Sequence, residues 1–201
     1  MSYRFSGCLN NMHLVLATAN RHKCIELAAM LPNWTVSPYA DYFGHPHTCV
    51  EDGDTFEANA IQKIKACPPD DAVYLLADDS GLVVDALGGA PGVHSARYGG
   101  DGLTDQDRCH LLLAALGDTD HRTARFVCAM ALRHPNGSLL TRHGTLHGHI
   151  ARSLAGTHGF GYDPVFIPEG YDTTLAMVDM ALKNTISHRH LALTAMIRDG
   201  L

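Results

Sequence analysis

Residues able to do chemistry are concentrated in five short stretches of this 201-residue chain. Asp78-Asp79-Ser80-Gly81 places two carboxylates side by side. Adjacent carboxylates repel, a divalent cation would relieve that cost, and one of the pair could accept a proton from water. Glu51-Asp52-Gly53-Asp54 precedes Asn59 and Lys63, whose spacing puts them on one helical face. That grouping suits one carboxylate for a hard cation, with Asn59 and Lys63 aimed at a phosphate. Thr18-Ala19-Asn20-Arg21-His22-Lys23 brings a lysine into the first turn of a helix, where the dipole disfavours a cation unless an anion lies close by. The glycines of a Walker A loop are missing from it. In Thr157-His158-Gly159-Phe160-Gly161-Tyr162-Asp163-Pro164, two glycines bare an aromatic ring for stacking on a flat heterocycle. Lys183-Asn184-Thr185-Ile186-Ser187-His188-Arg189 gathers cations at an expected helix start, which calls for a negative or acceptor-rich ligand. Each stretch also has a plain structural account: an Asp turn, dipole partners, an Asn cap, a tight loop whose aromatics plug the core, and a solvated charge cluster.

Regular elements must bring these stretches together. Residues 13–17 are apolar and predict a short buried strand. The helix behind it sets Cys24, Leu27, Ala28 and Leu31 on one face and stops at Pro32. A second helix is expected near Asp54, with Asp54 and Glu57 spaced like a capping pair and Phe56, Ala60 and Ile64 on its apolar face. Residues 72–77 are a continuous apolar run, hence a buried strand that ends at Asp78, and strand ends are where α/β proteins place ligands. A helix from Thr104 to Gly117 buries Cys109, Leu112, Leu113 and Leu116. Residues 125–133 are apolar on both alternating faces and predict a central strand; Asn136-Gly137 signals a hairpin, and residues 138–151 return as its partner. A short strand at 165–167 precedes a last helix, capped by Ser187, that buries Leu193, Met196 and Ile197. Strand–helix alternation with one hairpin predicts an α/β fold with a mixed sheet.

The net charge of −6 argues against a general affinity for nucleic acid or anionic membrane, although a local basic pocket for a small polyanion fits an acidic surface. No run approaches the roughly 18 apolar residues needed to span a bilayer, and the first residues lack the apolar core of a secretory signal. Residues 1–12 read as an N-terminal extension, disordered or an early start, ahead of a single domain at 13–201. Cys8, Cys24, Cys49, Cys67, Cys109 and Cys128 include no CxxC pair and read as small buried hydrophobes in a reducing compartment, so a cytoplasmic location is expected. His143, His147 and His149 share one strand face, but no carboxylate or cysteine completes a metal set and they read as solvent-facing.

In this order and spacing the stretches resemble one family closely, the inosine triphosphate pyrophosphatase family, also called Ham1-like. The resemblance runs from residue 13 to 200, and its most specific block is Asp78 to Tyr98, with Asp85-Ala86-Leu87-Gly88-Gly89-Ala90-Pro91-Gly92-Val93-His94-Ser95-Ala96-Arg97-Tyr98 as its second half. It implies a long curved mixed sheet flanked by helices, two lobes with an active-site cleft between them, and a homodimer. It implies hydrolysis of non-standard purine nucleoside triphosphates (ITP, dITP, XTP) to the monophosphate and pyrophosphate with Mg²⁺ as cofactor. Carried over residue by residue, Glu51 and Asp79 resemble the magnesium carboxylates. Asp79, alone or with Asp78, takes the part of proton acceptor toward the attacking water. Thr18, Ala19, Asn20, Arg21, His22 and Lys23 line the triphosphate site, with Asn59, Lys63 and Ser80 as further substrate contacts. Lys23 and Lys63 stabilise the departing pyrophosphate. Phe160, Gly161, Tyr162, Asp163, Lys183, His188 and Arg189 resemble the nucleoside and base contacts. Ala58 stands where the family usually has Glu, with Glu57 turned about 100° away from that position. His158 replaces a usual Gly, and Ala181-Leu182 replace acidic residues. Two other readings are a pyrophosphatase for another modified nucleotide, such as a pyrimidine triphosphate, and a catalytically silent nucleotide-binding protein. The intact Asp78-Asp79 pair and both lysines argue against the second.

Overall fold

The computed structural model describes residues 12–200. Apart from Met12, the expected N-terminal extension lies outside the described residues, as does Cys8. The described residues form one six-stranded mixed sheet. β1 (His13–Leu16) pairs parallel with β2 (Thr35–Pro38) on one side and with β3 (Tyr74–Val84) on the other. β4 (Thr123–Arg133), β5 (Leu139–Ile150) and β6 (Phe166–Pro168) then run antiparallel in turn. The central position expected for residues 125–133 and the hairpin at Asn136-Gly137 are both present.

The largest departure from expectation is β3. Its ladder with β4 continues unbroken past the apolar run: Asp78 pairs with Met130, Asp79 with Ala129, Ser80 with Cys128 and Gly81 with Val127. Asp78 and Asp79 are therefore mid-strand residues rather than a turn. Turn propensity lost because the ladder with β4 pairs the backbone groups of this buried segment that face it. Gly81 serves a different purpose from a turn glycine. A Cβ there would collide with Ser95 Oγ and the Gly92 carbonyl, so its absence lets the 3₁₀ turn Gly92–Arg97 lie directly on the strand.

Alternation along β3 sends Asp78 and Ser80 to one face of the sheet and Asp79 to the other. On the first face, Leu76 and Met130 pack with Leu27 of α1 (Arg21–Met30) and with Ala192, Leu193 and Met196 of α6 (His188–Gly200). On the second, Leu75 and Ala77 pack with Tyr39 of α2 (Tyr39–Phe43) and with Ala60 and Ile64 of α3 (Phe56–Lys65). A third apolar body gathers Leu82, Val84, Phe126 and Phe166 with Cys109, Leu112 and Leu116 of α4 (Asp105–Leu116). Asp78 to Gly81 thus lie between apolar bodies at the two ends of β3, where the sheet curls and leaves a cleft.

Several helix details differ from expectation. In α1, Ala28 is exposed and Glu26 is buried beside Leu27. Thr55, not Asp54, caps α3, its hydroxyl accepting from Ala58 N at 3.1 Å. Leu113 is only partly buried, and Ile197 lies just off the buried stripe of α6 at 44% exposure. An unexpected short helix, α5 (Met180–Ile186), is capped by Asp179, so Lys183 falls in a last turn, where the dipole favours a cation. Ser187 caps α6 as expected, accepting from His190 N at 3.1 Å. Among the described residues no helix is long and apolar enough to cross a membrane.

Candidate active site

The cleft has a volume of about 340 Å³, within the range of small-molecule sites. α1 enters it by its N-terminus. Asn20 caps that end, accepting from His22 N at 2.9 Å and Lys23 N at 3.3 Å. Thr18, Ala19, Asn20, His22 and Lys23 all line the cleft, whereas the exposed side chain of Arg21 is not part of its wall.

Asp79 and Glu51 converge on one ammonium. Lys63 Nζ stands 3.0 Å from Asp79 Oδ1 and 2.8 Å from Glu51 Oε2, and donates also to the Asp78 carbonyl at 3.1 Å. Burial works against the charge of Lys63, but Asp79, Asp78 and Glu51 together raise its pKa. Asn59 does not reach the cleft wall as a substrate contact would. It braces the carboxylate instead, donating to Asp79 Oδ2 at 3.1 Å and accepting from Gly53 N at 2.8 Å.

Asp78 lies under the cleft, on the other face. Its Oδ2 meets Lys23 Nζ at 3.0 Å and Arg189 Nε at 3.2 Å and accepts from Ser80 Oγ at 3.3 Å. Burial opposes its ionisation, yet Lys23, Arg189 and Lys63 outweigh burial and hold its carboxyl well below the usual range. A carboxylate this acidic, buried and paired is a poor proton acceptor. The helper role considered for Asp78 is therefore not what the geometry supports; it is a shared counter-ion for Lys23 and Arg189.

At the far end, Arg189 is fully buried. Nη1 pairs with Glu26 and Nη2 donates to Ser80 Oγ at 3.1 Å. Lys183 Nζ contacts Glu26 at 2.8 Å and Asp163 at 2.5 Å. Gly159 adopts φ +75° and a Cβ there would overlap the Asp163 carboxylate, which turns back to accept from Phe160 N at 2.9 Å. Burial raises the Asp163 pKa despite Lys183. His188 stacks on Phe126 at 4.8 Å between ring centroids, and its Nδ1 has no partner. Burial, with Arg189 and Lys183 adding to it, holds its pKa well below the ordinary value, so the ring is neutral.

Phe160 is not left bare by its flanking glycines. His22 stacks on it at 5.3 Å, while Lys183 Nζ lies 4.6 Å and Arg189 5.7 Å from the ring centroid. An aromatic face in a cleft attracts flat rings and cations alike. His22 thus sends its side chain to the aromatic end rather than toward Lys63. Tyr162 acts as a strut, its hydroxyl donating to the Ser95 carbonyl at 2.9 Å. Glu57 turns away toward Thr141 and His143, so it does not replace the acid missing at Ala58.

Glu26 was missed by sequence reasoning. It lies one turn beyond Lys23 and so on the same side of α1, a spacing that could have signalled it. Its carboxylate is the common anchor of Lys183 and Arg189. Glu26→Gln should lower stability by about 3 kcal/mol, because removing one partner of a buried ion pair strands the others. Urea unfolding checks this; a change below about 1 kcal/mol would show that the two cations find other compensation.

Among known proteins, a sequence profile described as the Ham1 family matches residues 14–199. A protein of Desulforamulus reducens named dITP/XTP pyrophosphatase is 47% identical over 186 residues, covering 90% of this chain and 92% of that protein. A Geobacter sulfurreducens protein of the same name is 44% identical, covering 94% and 96%. A solved HAM1 protein from Coxiella burnetii superposes with a TM-score of 0.81 at 39% identity, covering 92% of this chain and 96% of that one.

Proposed function

This chain belongs to the Ham1 family, and from that premise we propose that it hydrolyses ITP, dITP and XTP to the monophosphate and pyrophosphate, removing non-standard purines from the nucleotide pool. The observation that carries the reading is a single cleft with two chemically different ends. One has converging carboxylates and lysines for a metal-bound triphosphate; the other has an aromatic ring among buried donors for a purine base. The reading takes residues 13–201 as one domain and the protein as a homodimer, both as the family resemblance implies. The five free cysteines of the described residues support a cytoplasmic setting.

Glu51 and Asp79 suit Mg²⁺. Their carboxylates already close around one cationic group, Lys63, and Mg²⁺ is commonly held by one or two carboxylates together with waters and substrate phosphates. When bound, the ion withdraws charge from the phosphate oxygens. Asp79 orients the attacking water and takes its proton while Asn59 and Lys63 hold the carboxylate in place. Lys63 and Lys23, with the positive end of the α1 dipole, stabilise charge on the leaving pyrophosphate. Asp78 holds Lys23 and Arg189 on one oxygen and so ties the two ends together.

Pyrophosphate release should be measured across ITP, dITP, XTP, GTP, ATP and modified pyrimidine triphosphates. A pyrimidine preference, or no release at all, overturns the reading. Chelator-treated protein should lose nearly all turnover and regain it with Mg²⁺. Full activity without added metal would remove the role given to Glu51.

A further inference from the structure

A nucleoside triphosphate joins its base to the α-phosphorus through a sugar. On the function proposed above, which this inference rests on, the sugar must lie against the wall between the cleft's two ends. Ser95, Ala96, Asp105, Arg108, Gly161 and Tyr162 line the cleft and belong neither to the Glu51–Asp79–Lys63 cluster nor to the Phe160–Lys183–Arg189 cluster. Ala96 and Gly161 bring no polar side chain. Ser95 Oγ is spent, donating to the Gly92 carbonyl at 2.7 Å and accepting from Leu82 N at 2.9 Å. The Tyr162 hydroxyl is spent on Ser95. Asp105 and Arg108 remain, one turn apart at the start of α4.

Neither is fully committed. Asp105 Oδ2 accepts from Gly161 N at 2.7 Å, which fixes it beside the loop that carries Phe160. Its Oδ1 lies 3.7 Å from Arg108 Nη1, too far for a hydrogen bond. Arg108 Nη1 donates to the Leu103 carbonyl at 2.6 Å; its Nε is buried without an acceptor, and its Nη2 makes no hydrogen bond among the described residues. A carboxylate oxygen able to accept and a guanidinium with N–H groups left over are the complement of a hydroxyl, which both donates and accepts. We infer that Asp105 and Arg108 form a sugar-hydroxyl subsite, with Asp105 Oδ1 accepting from a ribose hydroxyl and Arg108 donating to it.

The test is kcat/KM for ITP, dITP and 2′,3′-dideoxy-ITP on wild type, Arg108→Ala, Arg108→Gln and Asp105→Asn. The last keeps an acceptor for Gly161 N and guards against a general loosening of the loop. Wild type should lose on the order of tenfold or more between ITP and the dideoxy compound, as expected when a charged partner loses its hydrogen bond. The variants should flatten the series to within about threefold. If dITP behaves like ITP the contact is to the 3′-hydroxyl; if it behaves like the dideoxy compound, to the 2′-hydroxyl. A flat wild-type series overturns the subsite, and so do variants that lower all three substrates equally, which is what a purely structural role would do. Should wild type release no pyrophosphate from any of the three, the hydrolase reading falls. The subsite is then judged by calorimetry, where equal binding of IMP and 2′,3′-dideoxy-IMP overturns it.

Discussion

Asp79→Asn should lower kcat on ITP by about a thousandfold or more while KM changes by no more than a few fold. General-base removal alone is worth about 10²–10⁴ in rate, and the same substitution takes one negative charge from the metal site. The side chain keeps its shape but not its hydrogen-bonding sense. Asp79 accepts on both oxygens, from Lys63 Nζ at 3.0 Å and from Asn59 Nδ2 at 3.1 Å. An amide can accept only on one side, so its NH₂ must face a donor. Asn59 cannot turn over to compensate without breaking its bond to Gly53 N. The loss therefore falls on the Glu51–Asp79–Lys63 end of the cleft, while Arg189 keeps its contacts with Asp78 and Ser80 on the other face of β3. Steady-state kinetics with ITP decide the matter. Retention of more than about a tenth of wild-type kcat removes Asp79 from the central role.

Base choice provides the second large effect. Wild-type kcat/KM should favour ITP over ATP by about a hundredfold or more, and Arg189→Lys should cut that ratio by about tenfold. Hypoxanthine and xanthine present an oxygen at position 6 where adenine presents an amino group. Arg189 has five N–H donors, of which Asp78, Glu26 and Ser80 take one each, and Lys183 has three, of which Glu26 and Asp163 take two. The donors left over suit an acceptor and leave an amino group unpaired. Lysine keeps the positive charge that Asp78 and Glu26 require but loses the planar fork. Arg189→Ala would instead strand two buried carboxylates and confuse stability with specificity. An ITP-to-ATP ratio unchanged in Arg189→Lys removes Arg189 from base recognition.

Local signals were legible wherever a few neighbouring residues settle the outcome. Asn20 and Thr104 cap the helices that follow them, and Asn136-Gly137 turns the β4–β5 hairpin. The site was legible as a set of segments, and most of the expected residues do meet in one cleft. Local signals misled where long-range pairing outweighed them. Asp-Asp-Ser-Gly has the composition of a turn, yet β4 draws it into a strand. Phe160 between glycines looks open, yet His22 from α1 covers it.

By itself the sequence determined which chemistry is available, namely carboxylates, lysines, an aromatic loop and a capped helix end, because caps, turns and apolar runs act within a few residues. Only the tertiary structure decided which charge answers which. Strand alternation gave Asp79 to Asn59 and Lys63, and Asp78 to Lys23 and Arg189. Arg189 reaches Asp78 across 111 residues and Glu26 across 163. Such partners follow from how the sheet curls and which helix covers each face. A buried carboxylate's surroundings depend on those partners, so neighbouring aspartates identical in type face different groups: Asp79 faces Lys63 and Asn59, and Asp78 is shared by Lys23 and Arg189.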